Sequence, residues 1–335
     1  MQLLSKRTPA AALVAALAVL LGMAPAAAAE AVPPKRVFAN PPVLGEAAAP
    51  PIASLLKLPA PGPRRGSERL YDLTIKYVDS TLYNPATGLG QPVHLRTYVG
   101  TDTSPDRPFI APTIEAAPGD TVRVNLKNRL PADPDCFDTS IPTNKPHCFN
   151  GTNLHSHGLW VSPTGNSDNV LVKLLPGVDF QYEYNIPPDH PSGTFWYHPH
   201  LHGSTALQVS SGMAGALIVR GDRKPTETVN GDLDTLLVKP DGGAMPEQLL
   251  VFQQIQYACT GADGKIKVDA DGNVDWTCLP GEVGVIESYD QFGPGTWAAS
   301  GRWTSINGVV LPEFRGPMAG QAERWRLDRK STRLN

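Results

Sequence analysis

The sequence has no basic cluster, no Ser/His/Asp arrangement and no glycine-rich phosphate loop. Its formal net charge is −3, and lysine and arginine are scattered rather than grouped on one stripe, so nothing indicates nucleic-acid binding. After residue 29 no apolar stretch is long enough to span a bilayer. These absences argue against a nucleotide-binding protein, a nucleophilic hydrolase and a membrane-spanning protein.

The first 29 residues have the composition of an export signal. Lys6 and Arg7 precede an apolar run from Ala10 to Leu21, and residues 27–29 offer a small-residue cleavage site. A transmembrane anchor is the alternative. We predict a signal peptide over 1–29 and an exported protein, periplasmic or extracellular, without a membrane anchor after cleavage.

Cysteine is scarce, with four residues at positions 136, 148, 259 and 278. An exported protein reaches a compartment where disulfides form. The sequence spacing favours Cys136–Cys148 and Cys259–Cys278, although four cysteines allow three connectivities. Four unpaired thiols are the alternative.

Proline and glycine are abundant, with 34 and 31 residues, which favours an all-β protein with many turns. Residues 30–66 are rich in proline and alanine and are predicted to be an extended arm or linker. From Tyr71 onward, short apolar or alternating runs predict strands separated by turn residues. The predicted strands are 73–78, 93–99, 121–126, 180–186 and 215–219. Many short strands of this kind predict a sandwich or barrel.

A weak internal repeat relates residues 112–126 to residues 312–327. A single repeat with a period of about 200 residues indicates domain duplication rather than a solenoid. We therefore predict one complete domain over 67–224 and an incomplete second domain over 225–327. In such strand-dominated domains, α-helix should stay below about a fifth of the mature residues.

Most histidines of the chain lie in one region, seven of the eight between residues 147 and 202. His155-Ser-His157 and His198-Pro-His200 place imidazoles at i and i+2, which on a strand leave the same face about 6 to 7 Å apart. Two such strands side by side would bring four imidazoles together, partly open to solvent. Imidazole suits copper, zinc, iron and nickel. A zinc hydrolase centre, or histidines without a ligand role, are the alternatives.

These motifs resemble those of the multicopper oxidases. The matching segments are 112–122, 151–160, 193–203 and 212–219. The resemblance covers about residues 70–327 and implies an all-β, cupredoxin-like Greek-key β-sandwich. It also implies copper as the cofactor. His155 would bind a type 2 copper, and His157, His198 and His200 would bind a binuclear type 3 pair.

Asp168 resembles the acidic residue that relays protons to the copper cluster in this family. A turn-forming aspartate in a Gly/Ser/Asn loop is the alternative. The resemblance assigns no ligand role to the remaining histidines, which are His94, His147, His190 and His202.

The activity implied by the resemblance is that of a laccase-like oxidoreductase. It couples one-electron oxidation of a phenol, another small reductant or a metal ion to the four-electron reduction of dioxygen to water. In the family a type 1 copper held by two histidines and a cysteine accepts the electrons. The sequence has no His-Cys-His segment, so we expect no turnover from this chain alone. A periplasmic copper-binding or carrier protein without turnover is the alternative.

The last eight residues, 328–335, match the translation of a common sequencing-adapter sequence. We interpret them as a scar on the N-terminal portion of a longer oxidase, with a natural basic tail as the alternative. We expect the strand pattern to end at Leu327, residues 328–335 to pack against nothing, and strand edges between 306 and 327 to be unpaired. Unpaired apolar edges favour aggregation.

Overall fold

The computed structural model describes residues 36–48 and 66–329. The signal peptide predicted for 1–29, most of the predicted arm, and residues 330–335 lie outside the described residues. The described residues all belong to one compact unit, Pro33–Asn335.

The described residues form mainly short strands, and none of their α-helices is longer than six residues. The strands are β1 (Glu68–Asn84), β2 (Leu89–Val99), β3 (Ile114–Ala116), β4 (Thr121–Asn128), β5 (His155–His157), β6 (Asp179–Asn185), β7 (Gly193–His198), β8 (Gly215–Val219), β9 (Glu247–Gln253), β10 (Ala258–Cys259), β11 (Gly284–Val285), β12 (Ser305–Ile306), β13 (Val309–Val310) and β14 (Arg324–Arg329). The α-helices are α1 (Thr205–Ser210), α2 (Leu233–Leu236) and α3 (Thr296–Ser300). The predicted all-β class is confirmed.

The first layer is a six-stranded sheet in the order β10-β11-β2-β1-β4-β6. Along β1 the apolar side chains alternate, so that Leu73 and Ile75 are completely buried. They share a hydrophobic core with Val124 of β4 and Leu217 of β8. The second layer is therefore the sheet β3-β8-β7-β5, and the two sheets form a β-sandwich.

Strand β8 lies between two cores, which explains why its whole sequence is apolar. Leu217 belongs to the first core, whereas Ala216 and Ile218 pack with Leu249 and Val251 of β9. A strand covered on both faces loses the alternation of polar and apolar residues. The sheet beyond it has the order β13-β12-β9-β14.

The internal repeat has a structural counterpart. Strand β4 pairs parallel with β1, and β14 pairs parallel with β9. The turns before them contain Gly119 with φ 93° and Gly320 with φ 88°, a backbone conformation that glycine adopts without steric cost. The similarity supports duplication. The boundary at residue 224 stays a prediction, because β11 from the second half pairs with β2 of the first sheet.

The C-terminal strand differs from the expectation. Strand β14 continues to Arg329, so its predicted end at Leu327 was two residues early. Asp328 and Arg329 pair through their backbones with Val251 and Phe252, and this pairing requires no apolar side chain. The expectation of unpaired edges between 306 and 327 is wrong for β12, which lies between β9 and β13. Within the described residues it holds for β13 and β14, which are the two edge strands of this sheet.

Both disulfides favoured by the spacing are present, Cys136–Cys148 and Cys259–Cys278. The first closes the loop that leads into β5. Within 36–48 and 66–329, the structure has no helix with the length and apolar character that crossing a bilayer requires.

Candidate metal centre

Strands β5 and β7 bring the two histidine motifs side by side. They pair antiparallel, with His155 opposite His198 and His157 opposite Trp196. Ser156 and its partner Tyr197 are each 1% exposed and point into the core. Successive side chains of a strand leave opposite faces, so the imidazoles lie together on the other face.

The four imidazole rings converge as the sequence predicts. The ring of His155 lies 5.5 Å from that of His157, 5.1 Å from that of His198 and 5.1 Å from that of His200, between centroids. The ring of His198 lies 5.8 Å from those of His157 and His200. Potential ligand atoms of His155, His157 and His198 all lie within 4.8 Å of one another. This spacing suits imidazoles that share one ion or bind neighbouring ions.

Asp168 contacts the centre directly. Its carboxylate lies 3.0 Å from Nδ1 of His155 and accepts the backbone N–H of Ser156 at 2.7 Å. Both side chains of the His155–Asp168 pair are mostly buried, at 19% and 12% exposed. A carboxylate at Nδ1 orients the ring and leaves Nε2 as the nitrogen for a metal. The structure thus places Asp168 in contact with a predicted ligand.

The second motif is on a strand only in part. Strand β7 ends at His198, because Pro199 has no N–H to continue the ladder. Nδ1 of His198 lies 2.8 Å from the carbonyl oxygen of Pro199. His200 therefore follows the strand, and its backbone N–H donates to Oδ1 of Asn153 at 2.6 Å.

His200 has an imidazole nitrogen available to a metal. Its Nδ1 is buried and accepts or donates no hydrogen bond within the described residues. Burial lowers the pKa of His200 below its usual value, which favours the neutral ring. Neutral imidazole is the form that binds metal ions. The exposures of the four rings also differ, from exposed His157 to His198 at 5%.

Trp196 is a residue of the site that the sequence analysis did not single out. Its ring stacks on His198 at 3.8 Å and on His157 at 5.1 Å. Trp196 and His198 stand at i and i+2 on β7, so the period of two that aligns the histidines also places Trp196 on their face. The sequence analysis also did not single out Asn153. It lies two residues before His155, so the two-residue period of a strand would have placed it on the same face.

The other histidines lie away from the four rings or only border them. His94 stacks on Tyr77, and Nδ1 of His147 bonds the carbonyl oxygen of Lys145. His190 accepts the backbone N–H of Trp160. The ring of His202 lies 6.5 Å from that of His200. That these four histidines have no ligand role stays a prediction.

Comparison with known proteins shows what the segment around the candidate site is similar to. A model of the multicopper oxidase family, described as "Multicopper oxidase", matches residues 143–224. This range contains β5, β7 and all four converging histidines. Over this segment the chain is therefore similar to multicopper oxidases.

Two curated relatives illustrate the extent of the match. The multicopper oxidase mco of Staphylococcus aureus is 24% identical over 178 residues, which are 48% of this chain and 35% of that protein. Laccase-1 of Thanatephorus cucumeris is 33% identical over 119 residues, which are 35% of this chain and 18% of that protein. The matched part of this chain thus spans at most about a third of each relative.

A solved laccase from Pediococcus acidilactici Pa5930 superposes with a TM-score of 0.45 at 19% identity. The alignment covers 84% of this chain and 43% of that laccase. This chain therefore spans less than half of the solved protein.

Proposed function

We propose that this chain is part of a multicopper oxidase, to which it contributes four copper ligands, His155, His157, His198 and His200. The observation that carries the proposal is the convergence of these rings, with centroids 5.1 to 5.8 Å apart in five of the six pairs. The donor set fits copper, because neutral imidazoles are ligands that copper accepts readily. The buried Nδ1 of His200, without a hydrogen-bond partner among the described residues, supports the same interpretation.

The resemblance of the motifs implies a separate role for each of these residues. His155 would hold a type 2 copper, and His157, His198 and His200 would each hold copper of a type 3 pair. Asp168 would keep the ring of His155 in one orientation and relay protons to the copper cluster. Copper bound here would supply the redox chemistry that couples oxidation of a phenol, a small reductant or a metal ion to reduction of dioxygen to water.

The cysteines argue that this chain does not turn over alone. All four are in disulfides, so no thiolate is available for a type 1 copper. Electrons would have to enter through a copper site supplied from outside these 335 residues. The same observation favours a second candidate function, copper binding without turnover. The disulfides also support an exported, periplasmic or extracellular location.

Copper titration of the chain tests the proposal. We expect the unaltered chain to bind copper(II), and His155→Ala and His198→Ala each to weaken the affinity at least about tenfold. His94→Ala is the matched control, because His94 is an exposed imidazole paired with Asp79 outside the site. The copper-loaded chain should lack the intense blue absorption of a thiolate–copper bond.

Two results would contradict the proposal. One is equal copper affinity in His155→Ala, His198→Ala and His94→Ala. The other is a preference of the unaltered chain for zinc over copper in a competition titration, since copper(II) lies above zinc in the usual affinity order. Zinc preference would favour a zinc centre instead.

A further inference from the structure

Asn153 is a completely buried amide beside the four histidines. Its exposed fraction is 0%. Oδ1 accepts the backbone N–H of His200 at 2.6 Å. Nδ2 donates to the carbonyl oxygens of Val170 and Val172 at 2.8 and 3.1 Å. Only one amide orientation satisfies these partners, because an N–H needs an acceptor and each carbonyl needs a donor.

These three hydrogen bonds join the three segments that form the site. Asn153 itself stands two residues before His155 on the way into β5. His200 belongs to the second motif. Val170 and Val172 follow Asp168 in the loop that brings its carboxylate to His155. One side chain therefore sets the spacing between both histidine motifs and the Asp168 loop.

We propose that Asn153 is a positioning residue for the copper centre, an inference that rests on the proposed function. It fixes the backbone of His200, which no strand supports because β7 ends at His198. It also fixes the loop that holds Asp168. Groups that orient metal ligands in this way set the affinity and geometry of the metal, although they never touch it.

The chain contains a matched control in Asn128. It is also 0% exposed. Nδ2 of Asn128 donates to the carbonyl oxygens of Asn150 and Leu174, and Oδ1 accepts the N–H of Leu130. Asn128 thus makes the same three kinds of hydrogen bond, but none of its partners carries a predicted ligand or Asp168. Replacing either asparagine with alanine removes three hydrogen bonds made by a completely buried side chain.

The test compares Asn153→Ala with Asn128→Ala in the full chain. Both variants should lose thermal stability. Asn153→Ala alone should weaken copper(II) affinity by about 10- to 100-fold and change the electron paramagnetic resonance hyperfine splitting of the bound copper. In the copper-free chain, exchange of the His200 amide should accelerate at least about 100-fold in Asn153→Ala and remain unchanged in Asn128→Ala.

Asn153→Ser, which retains a small polar group, replaces the alanine variant if that variant does not fold. Equal loss of copper affinity in the Asn153 and Asn128 variants overturns the inference alone. So does a His200 amide that exchanges freely in the unaltered chain. If the unaltered chain binds no copper, the proposed function fails and this inference fails with it.

Discussion

Replacing Arg326 of β14 with methionine should lower the free energy of unfolding by about 3 kcal/mol. Arg326 is 4% exposed. Its guanidinium donates to Glu247 at 2.9 Å, to Asp234 at 2.8 Å and to Thr194 of β7 at 3.2 Å. Removing one partner of a buried ion pair costs about 3–5 kcal/mol, because the remaining charge keeps its desolvation penalty.

The lower end of that range applies to Arg326, because two other arginines remain beside the carboxylates of Asp234 and Glu247. Arg324 lies 2.6 Å from Asp234 and 3.2 Å from Glu247, and Arg220 lies 2.6 Å from Glu247. For a chain of this size, about 3 kcal/mol corresponds to a fall in Tm of about 5–10 °C. Urea unfolding followed by circular dichroism measures the difference.

Arg123→Met is the control, because Arg123 is more exposed. Its side chain is 25% exposed, and its partners Glu68 and Glu183 are 60% and 30% exposed. Ion pairs at the surface contribute about 1 kcal/mol or less. Equal destabilisation by Arg123→Met and Arg326→Met would refute the reasoning.

The effect of Arg326→Met should also depend on pH. Burial raises the pKa of Glu247, but hydrogen bonds from Arg326 and Arg220 outweigh it and the pKa falls below its usual value. The pKa of Asp234 is likewise lowered despite burial. A carboxylate with a lowered pKa stabilises the fold above its unfolded-state pKa and ceases to do so as pH falls. The difference in free energy of unfolding between the unaltered chain and Arg326→Met should therefore be largest at pH 7. It should shrink below about pH 4.

Three further predictions concern the site and its surroundings. Asp168→Asn should weaken copper(II) affinity about tenfold, because His155 loses the carboxylate at Nδ1; calorimetric titration measures this, and unchanged affinity would contradict it. Hydrogen bonds from Arg223 outweigh burial and lower the pKa of Asp232 to about 2, so its stabilisation should be full above about pH 4 and disappear toward pH 2. The free energies of unfolding of Asp232→Asn and of the unaltered chain, measured in urea, should then converge at low pH. A difference that stays constant with pH would contradict this stabilising role of Asp232. Copper(II) should quench tryptophan fluorescence less in Trp196→Phe, because Trp196 stacks on two of the rings; equal quenching would place copper elsewhere.

The periodicity of the sequence predicted the elements on which the site is built. Alternation of side chains correctly placed His155 and His157 on one face, and the apolar run 215–219 matches β8 from end to end. Applied to β7, the same rule also predicts that Trp196 lies beside His198. The short separation of the cysteines along the chain favoured the two disulfides that the structure shows, although it left the other connectivities open. These features depend on local geometry, and local geometry is readable from spacing.

The sequence by itself determined that the chain is all-β and that two His-x-His motifs present their rings in pairs. Only the tertiary structure decided that His155 pairs with His198 across β5 and β7. It also decided that the amide of Asn153 ties His200 to the Asp168 loop and that β12 and β14 find partners on β9. The physical reason is that strand pairing and buried hydrogen bonds join residues far apart in the chain. Their energies depend on which backbone groups meet, and no short-range pattern of residue types encodes that choice.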